Sequence, residues 1–121
     1  MIEVTFIKAP DGLVEHVEAK GHAGYANAGR DIVCSAVTAV LFTAVGYAEE
    51  VYNPGGSPEK RCFRDEDGFL VWDCPEISPE DRQRLIPVFD AMILGLRQIR
   101  LSAGKRYLVI RSKEVQLNDQ I

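Results

Sequence analysis

The sequence has few of the residues that build a metal site or a disulfide framework. Its 121 residues include three cysteines and two histidines, and no two cysteines form a C-x2-C pair. Structural zinc sites need four cysteine or histidine ligands at characteristic spacings, so we expect no metal site. An odd number of cysteines without a secretion signal favours reduced thiols over disulfides.

The sequence also has no strongly basic segment. Its formal net charge is −4, whereas a nucleic-acid-binding protein usually carries a basic face for contacts with phosphates. Arginines and lysines are scattered among acidic residues, with one modest group at 97–106. We interpret that group as a helix C-terminus that complements the helix dipole, and we expect no direct contact with nucleic acid.

No segment is expected to direct the chain to a membrane. The first residues lack a basic stretch followed by an apolar one, so we expect no signal peptide. The longest apolar segment, Ile32–Ala48, is interrupted by small and polar residues and is shorter than the roughly 20 apolar residues that span a bilayer. We predict that it is a buried core helix and that the protein is cytoplasmic.

The first twenty residues alternate between apolar and polar side chains, as half-buried strands do. Apolar residues at positions 2, 4 and 6 mark one strand, and a Pro-Asp-Gly turn at 10–12 leads into a return strand over 13–20. This pattern predicts an N-terminal hairpin. In its second strand, His16 is expected to point away from the core into solvent.

Two later segments are predicted to be helices. The first runs from Ile32 to about Glu50, with Asp31 as its N-cap. Its residues are apolar almost all round, so we expect other elements to cover it on more than one side. The second begins at Ser78, which has the residue pattern of an N-cap, and Pro87 is expected to kink or break it.

The remaining segments complete a single layered domain. A second hairpin is predicted from strands at 61–64 and 69–74, and a last strand covers 107–111. The order ββαββαβ, with strands in pairs, indicates an α+β fold with a mainly antiparallel sheet and two principal helices. We expect one domain over residues 1–115, followed by a polar tail at 116–121.

Cys34 is the strongest candidate for chemistry. In the first turn of the predicted helix, unpaired N–H groups and the helix dipole would lower the pKa of its thiol below the usual value of about 8.5. A glycine-rich loop over 21–30 precedes it, and His22 opens that loop, so an imidazole could activate the thiol. The same N–H groups could bind an oxyanion. Cysteines in apolar helices are more often inert core residues, however, and the spacing alone does not decide between these roles.

Two further alternatives concern the residues around Cys34. Asp31 could serve only as a helix cap, or it could also hold His22 in the required tautomer, as the third member of a triad. The glycine spacing of 24–31 is that of a phosphate-binding P-loop, but Arg30 and Asp31 occupy its lysine and Ser/Thr positions. A carboxylate at that position would repel phosphate, so nucleotide binding is not expected.

The motif G-H-A at 21–23, followed by G-R-D-I-V-C at 29–34, resembles the ribosomal-processing cysteine proteases, the Prp family. The resemblance implies that Cys34 is the nucleophile and His22 the general base, and the Gly21 and Asp31 positions also match. Two residues depart from the family pattern. Ser35 stands where alanine is usual, and Thr38 stands where serine is usual.

The resemblance also implies a substrate and an assembly. Such proteases remove a short N-terminal extension from a large-subunit ribosomal protein, cutting after a hydrophobic, typically aromatic stretch. They are small α+β homodimers that need no metal or organic cofactor. The alternative hypothesis is a non-catalytic, ribosome-associated module whose glycine-rich loop only binds a peptide.

Overall fold

The computed structural model describes residues 1–21, 28–66, 69–104 and 106–115, with the backbone alone for 28–31. In these residues, the fold contains five strands, two long helices and a short 3-10 helix at Pro58–Lys60. The main elements are β1 (Ile2–Lys8), β2 (Val14–Lys20), α1 (Ala28–Tyr52), β3 (Phe63–Glu66), β4 (Phe69–Asp73), α2 (Pro79–Ala103) and β5 (Leu108–Glu114). This order confirms the predicted ββαββαβ arrangement and the α+β class. The predicted tail at 116–121 lies outside the described residues.

The strands form one mixed sheet in the order β3-β4-β2-β1-β5. The pairs β1/β2, β2/β4 and β3/β4 are antiparallel, and β1/β5 is parallel. The mainly antiparallel sheet was therefore predicted correctly. The side chains of Val4, Val17 and Trp72 lie on one face and are fully buried, in the same core cluster as apolar residues of both helices. Both helices therefore pack on this face of the sheet.

Helix α1 buries one side and exposes the other. Its buried residues are Val33, Val37, Leu41, Ala44, Val45 and Ala48. On the outer side, Ile32 is 71% exposed and Tyr47 is 45% exposed, so the prediction that other elements cover α1 on more than one side is wrong for the single chain. Residues 32–52 are also long and apolar enough to cross a membrane, with a mean hydropathy of 1.7. One such helix is weak evidence of a membrane span, because a helix that packs in a protein core passes the same test.

Helix α2 begins and ends as the sequence predicted, but it is continuous through its proline. The Ser78 hydroxyl accepts a hydrogen bond from the Asp81 N–H at 3.1 Å, and Gly104 ends the helix with a φ of +94°. No break occurs at Pro87, so the predicted break is wrong, whereas the predicted kink stays a prediction. Pro87 and Gln83, whose carbonyl loses its helical donor, both lie on the exposed side of α2. Water can satisfy that carbonyl there, so the helix tolerates the proline.

Candidate functional site

Cys34 lies further inside α1 than the sequence predicted. The helix begins at Ala28, so Asp31 is its fourth residue and Cys34 its seventh. The predictions that Asp31 is the N-cap and that Cys34 lies in the first turn are therefore wrong. Aspartate is also favourable inside a first helical turn, where it interacts with the positive end of the dipole, and the residue pattern alone does not distinguish the two positions.

The position of Cys34 in the helix determines which backbone N–H groups can interact with its side chain. The first four N–H groups of a helix have no partner within the helix, and here the last of them belongs to residue 30. The N–H of Cys34 itself comes after these four. The effect of the dipole also falls off within the first turn, so it supports a Cys34 thiolate less strongly than predicted.

The Cys34 side chain is half-buried and packs against the edge of the hydrophobic core. Thr38 is also half-buried and lies one turn further along the same flank of α1, where side chains four residues apart are neighbours. Ser35 is exposed. Of the two departures from the family pattern, Thr38 is therefore the one that lies on the same side of α1 as Cys34.

Chain connections and strand pairing bring the N-terminal part of α1 and the end of β2 to the same end of the domain. Lys20, the last residue of β2, pairs with Phe69, and Phe69 pairs with Glu66 at the end of β3. At the opposite end, the Cys62 N–H donates to Glu49 near the C-terminus of α1 at 2.9 Å. Helix α1 therefore runs away from the end where β2 finishes, and Cys34 lies near that end.

His22 lies outside the described residues, as does the Asp31 side chain, so the predicted Cys34–His22 dyad stays a prediction. Its neighbour Gly21 is half-buried and directly follows β2. Gly21 has a φ of +81°, a conformation that residues with a Cβ rarely adopt. The chain therefore turns out of the sheet at a glycine, one residue before His22.

The other two cysteines are thiols in different environments. Burial raises the pKa of the Cys74 thiol to about 11, so it is protonated near neutral pH. The Cys62 thiol donates a weak hydrogen bond to the Lys60 carbonyl at 3.5 Å. Both side chains pack against the core, which confirms the prediction that they are packing residues. Among the described residues, no three His, Cys, Asp or Glu side chains are arranged to hold a metal ion.

The residue pattern of β2 did not predict the cluster of charged side chains around His16. His16 does point away from the core, but it is not simply solvated. Its Nδ1 lies 2.7 Å from Asp73 Oδ1, and its Nε2 lies 3.3 Å from Glu18 Oε2. Partial burial opposes protonation, but these two carboxylates outweigh it and raise the pKa of His16. Its partner Asp73 ends β4, at the end of the sheet away from Gly21, so this cluster is separate from the Cys34 region.

A second cluster fastens α2 to the N-terminal hairpin. The Arg82 guanidinium donates to both Asp11 carboxylate oxygens at 2.8 and 3.0 Å, and to Glu15 Oε2 at 2.8 Å. The hydrogen bonds from Arg82 lower the pKa of the Asp11 carboxyl group. Two parallel hydrogen bonds from a guanidinium to a carboxylate fix the relative orientation of the two groups and also pair their charges. The cluster holds the β1–β2 turn against the first turn of α2, which supports the scaffold rather than the Cys34 region.

Comparison with known proteins gives consistent matches over most of the chain. A family model described as "Cysteine protease Prp" matches residues 1–107. The ribosomal processing cysteine protease Prp of Bacillus subtilis (strain 168) is 33% identical over 100 residues, which cover 82% of this chain and 87% of that one. A crystal structure from Streptococcus mutans has a TM-score of 0.73 at 27% identity and covers 95% of this chain and 96% of that one. A Prp from S. aureus, solved in complex with a substrate peptide, has a TM-score of 0.71 at 23% identity and covers 93% of this chain and 100% of that one. At 23% identity, the likeness to the S. aureus structure shows a shared fold alone.

Proposed function

Because the chain belongs to the Prp family of ribosomal-processing cysteine proteases, we propose that it removes a short N-terminal extension from a large-subunit ribosomal protein. Cleavage follows a hydrophobic, typically aromatic stretch, with Cys34 as nucleophile and His22 as general base and acid. The observation that supports this assignment most directly is the half-buried Cys34 near the start of α1. It lies at the end of the sheet where the chain turns out of β2 at Gly21.

In this mechanism, the His22 imidazole takes the proton of the Cys34 thiol, and the thiolate attacks the scissile carbonyl carbon. The protonated imidazole then donates its proton to the leaving amine, which departs as the peptide bond breaks. Water, deprotonated by His22, attacks the remaining thioester and releases the carboxylic acid and the thiol. The Cα–Cβ bonds of a helix tilt toward its N-terminus, so the Cys34 side chain starts out toward the first turn of α1, whose unpaired N–H groups, up to that of residue 30, would stabilise the oxyanion.

Gly21 and Asp31 have supporting roles in this proposal. The positive φ of Gly21 sets the direction in which the chain leaves β2 and so positions His22. Asp31 lies one helical turn before Cys34 and would accept a hydrogen bond from the His22 ring, which fixes its tautomer. No metal or organic cofactor takes part in any of these steps.

The test is the pH dependence of iodoacetamide labelling at Cys34, located by peptide mass spectrometry, in the wild-type protein and in His22→Ala. We expect rapid wild-type labelling well below pH 8 that slows steeply in the variant. Cys34→Ala should abolish cleavage of a peptide with an aromatic stretch while the far-ultraviolet circular dichroism spectrum stays the same. Slow labelling that is identical in both proteins, with no peptide cleavage, would favour the non-catalytic binding module.

We also infer that the active form is a cytoplasmic homodimer. The outer surface of the two helices supports this: no charged residue occurs between Ile32 and Ala48, yet Ile32, Tyr47 and Leu94 are exposed. An apolar groove of about 430 Å³ lies between the helices beside Tyr47, and apolar patches of this kind mark association surfaces. Sedimentation equilibrium should give a dimer for the wild type and a monomer for Tyr47→Glu. The thiol state of Cys62 and Cys74 supports the cytoplasmic location, which cell fractionation tests.

A further inference from the structure

A notch at the C-terminal end of α2, which we call the arginine notch, is lined mainly by basic and apolar residues. It encloses about 370 Å³, and its lining residues are Arg97, Arg100, Leu101 and Gly104. Residues three and four apart in a helix are neighbours on one face, so these residues form a continuous strip. The volume is within the range of about 300–1,000 Å³ that is typical of sites for small molecules.

The arginine notch lies on the side of α2 that faces away from α1. At the same level of the helix, the residues that share a pocket with α1 are Gln98, Ile99, Ser102 and Ala103. Each residue of an α-helix is rotated by about 100° from the one before it, which puts the middle of this second set about 180° from the notch. The notch is therefore separate from the groove between the two helices, and it lies on the far side of α2 from Cys34.

The arginines of the notch have no carboxylate partner. Among the described residues, no acidic group lies within 4 Å of the Arg97 or Arg100 guanidinium. Other arginines of the chain do have such a partner, namely Arg61, Arg82, Arg84 and Arg111. The sequence has no acidic residue from 91 to 113, and Arg106 adds a positive charge two residues after Gly104. The negative end of the helix dipole amounts to about half an elementary charge, so the notch keeps a net positive charge.

The Arg100 side chain also has a donor that the fold leaves unsatisfied. Its Nε is buried and has no hydrogen-bond partner among the described residues. Burying a donor without an acceptor costs free energy, and the cost is larger when the donor is charged. The Arg100 side chain as a whole is half-buried, whereas that of Arg97 is exposed. A small rotation of the Arg100 guanidinium would turn Nε toward the notch, where the oxygen of a ligand could accept its hydrogen bond.

We propose that the arginine notch binds the phosphate group of a small phosphate monoester, at a site separate from the one around Cys34. Guanidinium groups match phosphate oxygens in geometry and can donate two parallel hydrogen bonds to them. A phosphate monoester carries a charge of about −1.5 to −2 at pH 7, which the two arginines balance, whereas a carboxylate or a phosphodiester carries a single charge. Leu101 is 79% exposed and provides an apolar wall for the organic part of the ester.

Isothermal titration calorimetry of the full chain with phenyl phosphate, at pH 8 and low ionic strength, tests this proposal. The wild type should bind phenyl phosphate saturably, and more tightly than methyl phenyl phosphate, a diester with the same ring and a single charge. Arg100→Gln removes one guanidinium, so the dissociation constant for phenyl phosphate should rise by about tenfold or more. Arg97→Gln should weaken binding in the same direction, and because the Arg97 side chain is exposed, this variant tests the site even if Arg100→Gln fails to fold.

Arg64→Gln is the matched control, because it removes the same charge at a distance from the notch. Arg64 is exposed and lies in β3, at the opposite edge of the sheet from β5, beside which α2 packs. The dissociation constant of Arg64→Gln should equal that of the wild type. Equal weakening in Arg64→Gln and Arg100→Gln, or no saturable binding to the wild type, would overturn the site. Tighter binding of a single-stranded RNA without terminal phosphates would overturn the monoester assignment in favour of nucleic acid.

Discussion

Replacing Gly46 by alanine should stabilise the protein, although glycine occupies that position in the natural chain. The residue is exposed, lies in the interior of the 25-residue helix α1, and has open space where a Cβ would be placed. Only the backbone preference then changes, because the new methyl group neither clashes nor becomes buried. Alanine is favoured over glycine in a helix interior by about 1 kcal/mol. For a chain of this length, that difference raises Tm by about 4 °C.

Gly95→Ala provides the comparison that tests this reasoning. The same helical preference applies in α2, but the Cβ would lie 3.2 Å from Val40 Cγ1 and 3.4 Å from Cγ2. Forcing an extra methyl group into a packed contact costs about 1–3 kcal/mol, which offsets or exceeds the gain in helix propensity. We therefore expect no stabilisation from Gly95→Ala in the wild-type background, and a gain in a Val40→Ala background, where the neighbouring methyl groups are absent.

Urea unfolding, followed by circular dichroism, measures both effects. The midpoint should rise for Gly46→Ala with an unchanged slope, since the area exposed on unfolding stays the same. A lower midpoint for Gly46→Ala would show that the glycine serves the fold. Equal stabilisation by Gly95→Ala would show that the contact with Val40 relaxes without cost.

Three other predictions concern groups outside the Cys34 region. The pKa of His16 is raised above 6.5 in the folded chain, so its stabilising contribution is complete below pH 6.5 and is lost as the pH rises through the folded pKa. Urea unfolding between pH 5.5 and 8.5 should show this decline in the wild type but not in His16→Gln, and parallel profiles would contradict it. Arg82→Ala leaves the Asp11 and Glu15 carboxylates without their shared donor and should lower the free energy of unfolding by about 1 kcal/mol, since both carboxylates are partly solvated. A loss below the error of denaturant titrations would show that water replaces the guanidinium. Because the pKa of Cys74 is about 11, iodoacetamide should label it slowly in the native protein at pH 7.5 and much faster in urea, and equal rates would show that the thiol is not buried.

The elements that the sequence predicted well are those with local causes. The side chain of Ser78 bonds a backbone N–H three residues later, and Gly104 ends α2 in a conformation with positive φ. Each of these two residues acts on the backbone within a few positions of itself, so the local residue pattern is enough to predict where the helix begins and ends. The apolar alternation at positions 2, 4 and 6 likewise placed β1, because the buried face of a strand repeats every second residue.

The elements that were missed depend on contacts between distant segments. His16 was expected to be solvated because its partner Asp73 lies 57 residues away, and the pattern of β2 gives no information about β4. The exposed outer side of α1 was missed for a similar reason. An apolar helix surface predicts that another surface packs against it. The sequence does not indicate whether that second surface belongs to the same chain or to another molecule.

In the proposed mechanism, the position of Cys34 in the second turn of α1 makes His22 the main group that would activate its thiol. If the helix dipole were the main cause of a lowered thiol pKa, the effect would be largest in the first turn and would fall off beyond it. With Cys34 as the seventh residue of α1, the proposed mechanism requires the His22 imidazole to supply most of the stabilisation of the thiolate. The midpoint of the pH profile of Cys34 labelling in His22→Ala should therefore return to about 8.5, the value of an unperturbed cysteine. A midpoint that stays well below 8 in His22→Ala would assign the activation to the N-terminal N–H groups of α1 instead, and His22 would then act only in the transfer of the proton to the leaving amine.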